Sequence, residues 1–355
     1  MQDNKMTYES IQTQLVSCAK QLLSEGKVQR VVGWRKGLFD YDVTPSLFTT
    51  ADDLEKNFVY SEWCGANLSK YLVKETRAIE TAKDTVRTNN AMAKAKDPNA
   101  PQAAEPMAKV AVFLKPCDTY SFTELLKEHR INRDDVYAIG IPCNGMYESV
   151  TDNKTAEQAK QIAERCTVCK NKMHITYDEL LCCDDESKAT ARSFGEKDGR
   201  FDMVEKIEAL SSDERFAFWQ NELSRCIRCN ACRDVCPACT CEHCIFDNPK
   251  SGASQKVAAD SFEENMYHII RAWHVAGRCV DCGECSRVCP QSIPLHLLNR
   301  KFIKDINEIY GPYTSGSDLD TKPPMLNYKA EDAEPSVVYS RDKSPADSTA
   351  ANGGN

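Results

Sequence analysis

Two runs of cysteines, offset by 53 positions, constrain this chain more than anything else in it. The first reads Cys226-Ile-Arg-Cys229-Asn-Ala-Cys232-Arg-Asp-Val-Cys236-Pro237, and the second Cys279-Val-Asp-Cys282-Gly-Glu-Cys285-Ser-Arg-Val-Cys289-Pro290. Each is the C-x2-C-x2-C-x3-C-P spacing that holds a cubane [4Fe–4S] cluster. Three thiolates two residues apart wrap three irons of one cube. The fourth, at the start of a helix, points away and in two-cluster proteins ligates the other cube. The spacing therefore assigns Cys226, Cys229, Cys232 and Cys289 to cluster I, and Cys279, Cys282, Cys285 and Cys236 to cluster II. The prolines after Cys236 and Cys289 turn the chain away from regular structure. A pair of zinc sites is the competing reading, but zinc pairs are usually separated by longer loops.

Nineteen cysteines among 355 residues need a chemical reason. A disulfide framework would call for a secretory leader, and Met1-Gln-Asp-Asn-Lys-Met6 runs into an amphipathic pattern without an apolar signal core. Metal-ligand spacing then implies a reducing compartment, with a cytoplasmic location expected. No apolar run reaches membrane-spanning length, so an integral membrane protein is not expected. A net charge of −8 argues against nucleic acid. The length allows two domains, and 41% hydrophobic residues can fill their cores.

The periodicity predicts a helix over 6–24, with Tyr8, Ile11, Leu15, Ala19 and Leu22 on one face and Cys18 beside it as a small core residue. Gly26 ends it. A strand follows over 28–33, then a loop at Trp34-Arg-Lys-Gly37, read as a plain turn in preference to a phosphate or flavin contact. Residues 52–76 read as helical, with Cys64 a weak cofactor candidate. Residues 84–106 read as a solvated insertion. A β-α-β signature comes next: strand 110–114, helix 121–130, strand 136–141. Such strands lie parallel, and sites form beyond their carboxyl ends. Those ends carry Cys117 and Cys143, which would meet at one rim. Cys166-Thr-Val-Cys169 and Cys182-Cys183 follow. Cys143, Cys166 and Cys169 are candidate ligands of a third cluster. Cys117 is the fourth, with Cys64, Cys182 and Cys183 as alternatives, and zinc competes because the spacing is irregular.

The remainder divides into a polar connection, a helix over 213–223, the two cysteine runs with a helix at 261–273 between them, and a helical stripe of Leu295, Leu298, Phe302, Ile306 and Ile309 ending at Gly311. Cys239, Cys241 and Cys244 are read as packed or supporting thiols. His268 and His274 are six apart and do not share a face as an i,i+4 metal pair would, so they are read as structural. The expected organisation is an α/β domain with a parallel-sheet core over 1–183, a linker over 184–212, an all-α two-cluster domain over 213–311, and a disordered or partner-bound tail over 312–355.

The pattern from Gly33 through Cys64-Gly-Ala-Asn-Leu68, Lys115-Pro-Cys-Asp118, Glu128-His-Arg-Ile-Asn-Arg-Asp134, Gly140-Ile-Pro-Cys143-Asn-Gly-Met146 and Cys166-x2-Cys169 resembles the beta subunits of coenzyme F420-reducing hydrogenases and formate dehydrogenases. It is also similar to the iron–sulfur subunits that partner heterodisulfide-reductase-type complexes in anaerobes. The resemblance covers roughly residues 25–310. It implies that Cys143, Cys166 and Cys169 hold a cluster in the first domain, and that the two-run domain is a helical type of ferredoxin. F420-reducing beta subunits carry the ferredoxin motif ahead of the α/β domain and bind a flavin. Here the motif follows, and a long C-terminal flavin portion is missing, so clusters are expected ahead of flavin or F420.

Three functions compete. The first is an electron-transfer subunit linking a flavin or metal catalytic subunit to a heterodisulfide-reductase-like or ferredoxin partner. The second is a flavin-linked subunit that oxidises F420 or a nicotinamide, against which stands the lack of a dinucleotide fingerprint. The third is a zinc-bearing scaffold.

Overall fold

The computed structural model describes residues 7–106, 108–151, 154–169, 173–182, 199–248, 250 and 261–326. Cys183, most of the polar connection and the chain from 327 on lie outside them.

Helix α1 spans Tyr8–Ser24 and buries Ile11, Leu15, Ala19 and Leu22, as its periodicity predicts. Thr7 caps it by accepting from the Ser10 backbone N–H at 3.2 Å. The chain turns at Gly26, in the left-handed region at φ 67°, into β1, Arg30–Lys36. The loop expected at Trp34–Gly37 is therefore largely strand. The reason is a hairpin partner invisible to periodicity: β2, Val43–Phe48, pairs antiparallel with β1 from Val31 to Lys36. Trp34 is fully buried and donates its indole N–H to the Ala66 carbonyl at 3.3 Å.

The single helical stretch expected over 52–76 is two helices, α2 (Ala51–Asn57) and α3 (Ser69–Lys96). Between them an irregular segment is buried at Phe58, Tyr60, Cys64, Ala66, Asn67 and Leu68. Helix α3 also runs through half of the expected insertion. Beyond Ile79 it is mostly solvated, and its Ala, Lys and Arg residues carry the helix on propensity and on the i,i+3 pair Arg87–Asp84.

Strand β3 is Val110–Leu114, helix α4 is Pro116–Lys127 and strand β4 is Val136–Gly140. Helix α4 begins five residues earlier than the apolar pattern suggests, because Pro116 starts it and the Asp118 carboxylate accepts from the Lys115 backbone N–H. A short β5, Glu179–Leu180, completes a five-stranded sheet ordered β2-β1-β3-β4-β5, parallel except for the β1–β2 hairpin. Helices α5 (Ala156–Ala159) and α6 (Glu164–Thr167) stand between β4 and β5.

From 199 to 326 every regular element among the described residues is helical. These are α7 (Asp202–Glu208), α8 (Ser212–Ser224), α9 (Ala231–Asp234), α10 (Ser261–His274), α11 (Glu284–Arg287) and α12 (Leu295–Tyr310), with short 3₁₀ turns. Within the polar connection, α7 buries Val204 and Ile207 against Leu297 of α12. The buried face of α12 is Leu295, Leu297, Asn299, Arg300, Ile303 and Ile306, while Ile309 is 70% exposed. The helix is thus rotated from its expected stripe, because the charged Arg300 is turned inward by acidic partners.

Residues 312–321 are not a free tail. They lie back on α4, where Ser315 is buried, Gly316 (φ 73°) abuts the Tyr120 carbonyl, and Lys127 stands over the Tyr313 ring. The compact unit that holds both the sheet and the cysteine runs ends at Thr321. The following unit is described only as far as a 3₁₀ turn at Pro324–Leu326.

Candidate metal centres

The two cysteine runs fold as copies. Arg228 and Asp281 have φ of 54° and 56°, and Asn230 and Gly283 have φ of 62° and 71°, each pair at the same offset from its first cysteine. Helices α9 and α11 start directly after. The Cys236 N–H donates to the Arg233 carbonyl and the Cys289 N–H to the Ser286 carbonyl, both at 3.2 Å. Alternating right- and left-handed residues make a concave nest of backbone N–H groups, the arrangement that receives anions and iron–sulfur groups. N–H groups already face thiols: Arg228 N to Cys226 Sγ at 3.4 Å, Ile293 N to Cys289 Sγ at 3.5 Å, and Asn299 Nδ2 to Cys285 Sγ at 3.6 Å.

Cys226, Cys229, Cys232 and Cys289 line one small cavity together with Tyr267, His268 and Ile293. The fourth cysteine of the first run lies elsewhere. Cys236 is in electrostatic reach of Cys279, Cys282 and Cys285. Buried Arg271 stands among both sets. It donates to the Cys232 carbonyl at 2.6 Å and feels the charge of Cys236, Cys232 and Cys285.

These surroundings fit a sulfur-rich anionic group. His268 is 2% exposed, yet neither ring nitrogen has a partner among the described residues, and Arg271 Nε is likewise unpaired. Burial, Arg271 and Arg228 push His268 down to about 3, so the ring is neutral and keeps one N–H to donate. A buried donor left unmatched is costly unless a ligand supplies the acceptor. Burial also pushes the Cys285 thiol up to about 12 against the pull of Arg271. Metal binding at such thiols must therefore release protons.

The third group sits at the carboxyl ends of β3 and β4. Cys117 begins α4, Cys143 follows β4, Cys166 is in α6 and Cys169 lies just beyond it. Burial pushes Cys143 up to about 12, and the charges of Cys166 and Cys169 add to the rise while Lys115 opposes it. Burial likewise raises Cys117, with Asp118, Cys169 and Cys143 contributing. All four are thus electrostatic neighbours. Of the alternatives for the fourth position, Cys64 is turned into its own loop, accepting from the Ser61 N–H at 3.3 Å. Cys182 is a neighbour of Cys18. Cys183 lies outside the described residues.

Lys115 stands in the Lys115-Pro-Cys-Asp118 motif, but no role of its own is legible there. It is 2% exposed, donates to the carbonyls of Cys64 (3.1 Å) and Ala66 (2.8 Å), pairs with Asp118 at 2.9 Å and lies 4.5 Å from the Trp34 ring centre. Burial opposes its charge, but Asp118, Cys117 and Cys143 outweigh that and raise its pKa. It is a fixed cation beside the third group.

Of the remaining thiols, Cys239 donates to Cys236, which favours the thiolate at Cys236. Cys241 is exposed and Cys244 half-buried. A tetrahedral zinc holds its sulfur ligands about 2.3 Å from one point. Among the described residues no three His, Cys, Asp or Glu side chains converge to hold a single ion.

Beside these centres is a cleft of about 650 Å³ lined by Phe39, Tyr41, Trp63, Tyr147, Arg287 and Cys289. The Phe39 and Tyr41 rings stack at 5.2 Å, and Trp63 meets Tyr147 edge-on at 5.1 Å.

Residues 222–293 match the 4Fe-4S dicluster domain. Over the longer chain, the F420-dependent formate dehydrogenase subunit beta of Methanocaldococcus jannaschii is 25% identical across 294 aligned positions, covering 62% of this chain and 76% of that protein. The F420-dependent formate dehydrogenase 1 subunit beta of Methanococcus maripaludis is 25% identical across 388 positions, covering 86% of this chain and 91% of the relative. Over much of its length the chain is thus similar to the beta subunits of F420-dependent formate dehydrogenases. This similarity, together with the dicluster domain, makes it an iron–sulfur electron-transfer subunit of an oxidoreductase. The dicluster part of the chain also resembles putative ferredoxin-3 of Sinorhizobium fredii, 32% identical over 73 positions, covering 20% of this chain and 70% of the ferredoxin. No helix among its described residues is long and apolar enough to cross a membrane.

Proposed function

We propose that the chain is the relay subunit of an anaerobic, cytoplasmic multi-subunit oxidoreductase, set between a flavin or metal catalytic subunit and a heterodisulfide-reductase-like or ferredoxin partner. In this reading Cys226, Cys229, Cys232 and Cys289 hold one cubane, and Cys279, Cys282, Cys285 and Cys236 a second. Cys143, Cys166, Cys169 and Cys117 hold a third. The cubanes supply one-electron chemistry, with potentials anywhere from about −700 to +450 mV for the class. The protein's part is to donate N–H groups to sulfur, exclude water and place the cations Arg271 and Lys115. The observation that carries the reading is the mixed cavity, in which Cys289 of the second run joins three cysteines of the first.

The aromatic cleft favours a second reading. Its volume and flat, partly apolar walls suit a flavin or a deazaflavin such as F420, which would make the chain a hydride-accepting beta subunit.

Iron, zinc and flavin counts on protein purified without oxygen separate the readings. About twelve irons per chain and no flavin support the three-cluster relay. About eight irons with zinc at the third group would make that site structural, and one flavin per chain would favour the second reading. Within the relay reading, Cys236→Ser is expected to abolish the EPR signal of the cluster at Cys279, Cys282 and Cys285 while the other C-terminal signal persists. Loss of the 226–232 cluster alone would overturn the crossed ligand set.

A further inference from the structure

The two cysteine runs are copies in backbone but not in side chains. Where the first has Asn230, Ala231 and Asp234, the second has Gly283, Glu284 and Arg287. Asn230 and Gly283 share the same left-handed backbone, so conformation alone does not demand glycine at 283. Space does. A Cβ at 283 would lie 2.8 Å from Cδ and 3.2 Å from Cβ of Arg165, which enters from α6. On its far side the same guanidinium meets a second glycine, where a Cβ at 65 would lie 2.8 Å from its Nη2.

Arg165 is therefore threaded between two cleared positions. It donates to the carbonyls of Gly65 at 3.2 Å and Cys282 at 3.3 Å, and to the Glu284 carboxylate at 2.7 Å. Glu284, 2% exposed, also accepts from Arg287 at 2.7 and 2.9 Å and from the Asn67 N–H at 3.2 Å. The residue after Arg165 is Cys166. One side chain thus ties the segment carrying the third cysteine group to the loop carrying the second run.

We propose that Arg165 is a positioning residue: it holds the Cys166 site and the Cys282 loop at one fixed separation and lends its positive charge to both. The proposal rests on the cluster reading above. A buried cation stabilises the more negative, reduced form of a neighbouring centre, and in a low-dielectric junction that charge is weakly screened. Glu284 and Arg287, which the first run lacks, then serve to orient the guanidinium.

The test uses the full chain loaded with iron and a reductive titration read by EPR. Arg165→Gln is expected to lower the midpoint potential of the cluster at the second run and to alter its magnetic coupling to the third group, with iron content unchanged. Arg165→Lys, which keeps charge but not the forked geometry, is expected to restore the potential and not the coupling. Full iron with unchanged potential and coupling in Arg165→Gln would overturn the proposal. A wild-type chain lacking iron at the third group would instead overturn the cluster reading. A second arm needs no metal at that group. Gly283→Asn, acceptable to the backbone, is expected to lower the thermal midpoint in the wild-type background and to add little to the loss that Arg165→Ala causes by itself. A harmless Gly283→Asn, or a loss of the same size in both backgrounds, would remove the strut.

Discussion

The sheet half and the cysteine half of this chain are built on different physics. Around the sheet, α1, α3, α4 and the buried segment 58–68 enclose one continuous apolar core, in which Trp34, Phe48, Phe113, Phe122, Leu54 and Leu72 are fully buried. In the cysteine half, the corresponding cluster consists of Leu223, Ile293 and Leu295 with Cys232, Cys285 and Cys289, and a second consists of Val204, Ile207 and Leu297. Half of the larger one is thiol. Ion pairs join the two halves: Arg300 reaches Glu164, Arg165 reaches Glu284, Arg278 reaches Glu128, and Arg77 reaches Glu242. The sheet half has an apolar core to remove from water, whereas the cysteine half has a small, thiol-rich one, and the contrast predicts that the stability of the cysteine half depends on what those thiols bind.

The largest expected effect is on removing iron. Anaerobic chelation should melt the helices from 212 to 310 and leave the sheet protected, as hydrogen exchange would show. Equal protection of both halves in the apo chain would break the contrast. Next comes Phe113→Ala. Phe113 is fully buried and its ring lies 5.3 Å from that of Phe58. Chemical denaturation should show about 3–5 kcal/mol lost from the sheet half, with the cluster signals of the cysteine half retained. A matching loss of those signals would mean that the halves fold as one. The smallest effect expected is His268→Leu. Without iron it should change stability little, because the ring's nitrogens have no partner among the described residues to lose. With iron, a cluster held in the cavity of Cys226, Cys229, Cys232 and Cys289 should become harder to reduce. A potential identical to wild type would remove the N–H donor from that cavity.

Much was legible beforehand, and the exceptions have causes. Helix α1 announces itself by apolar period, because it presents one face to the core, and strands β3 and β4 by short continuous apolar runs, because both of their faces are buried. The stripe that marks α10 in the sequence includes Met266, Ile269 and Trp273, which the fold leaves exposed, its buried face being Tyr267, His268, Arg271 and Ala272. Strand β2 did not, since Val43–Phe48 contains Pro45 and is mostly half-buried at the sheet edge. The far end of α3 was hidden because a solvated helix needs no apolar period, only residues of high propensity. His268 looked inert because nothing in its neighbours along the chain reveals a cavity shared with Cys289.

The sequence by itself determined the candidate chemistry: eight cysteines in two spacings, four more around the strand ends, and the likeness to F420-dependent formate dehydrogenase beta subunits. Ligand spacing is local, and local geometry survives in one dimension. Only the tertiary structure decided which charges stand among those cysteines. Lys115, Arg165, Arg271 and His268 reach them from separate elements, and their burial depends on packing partners far away along the chain.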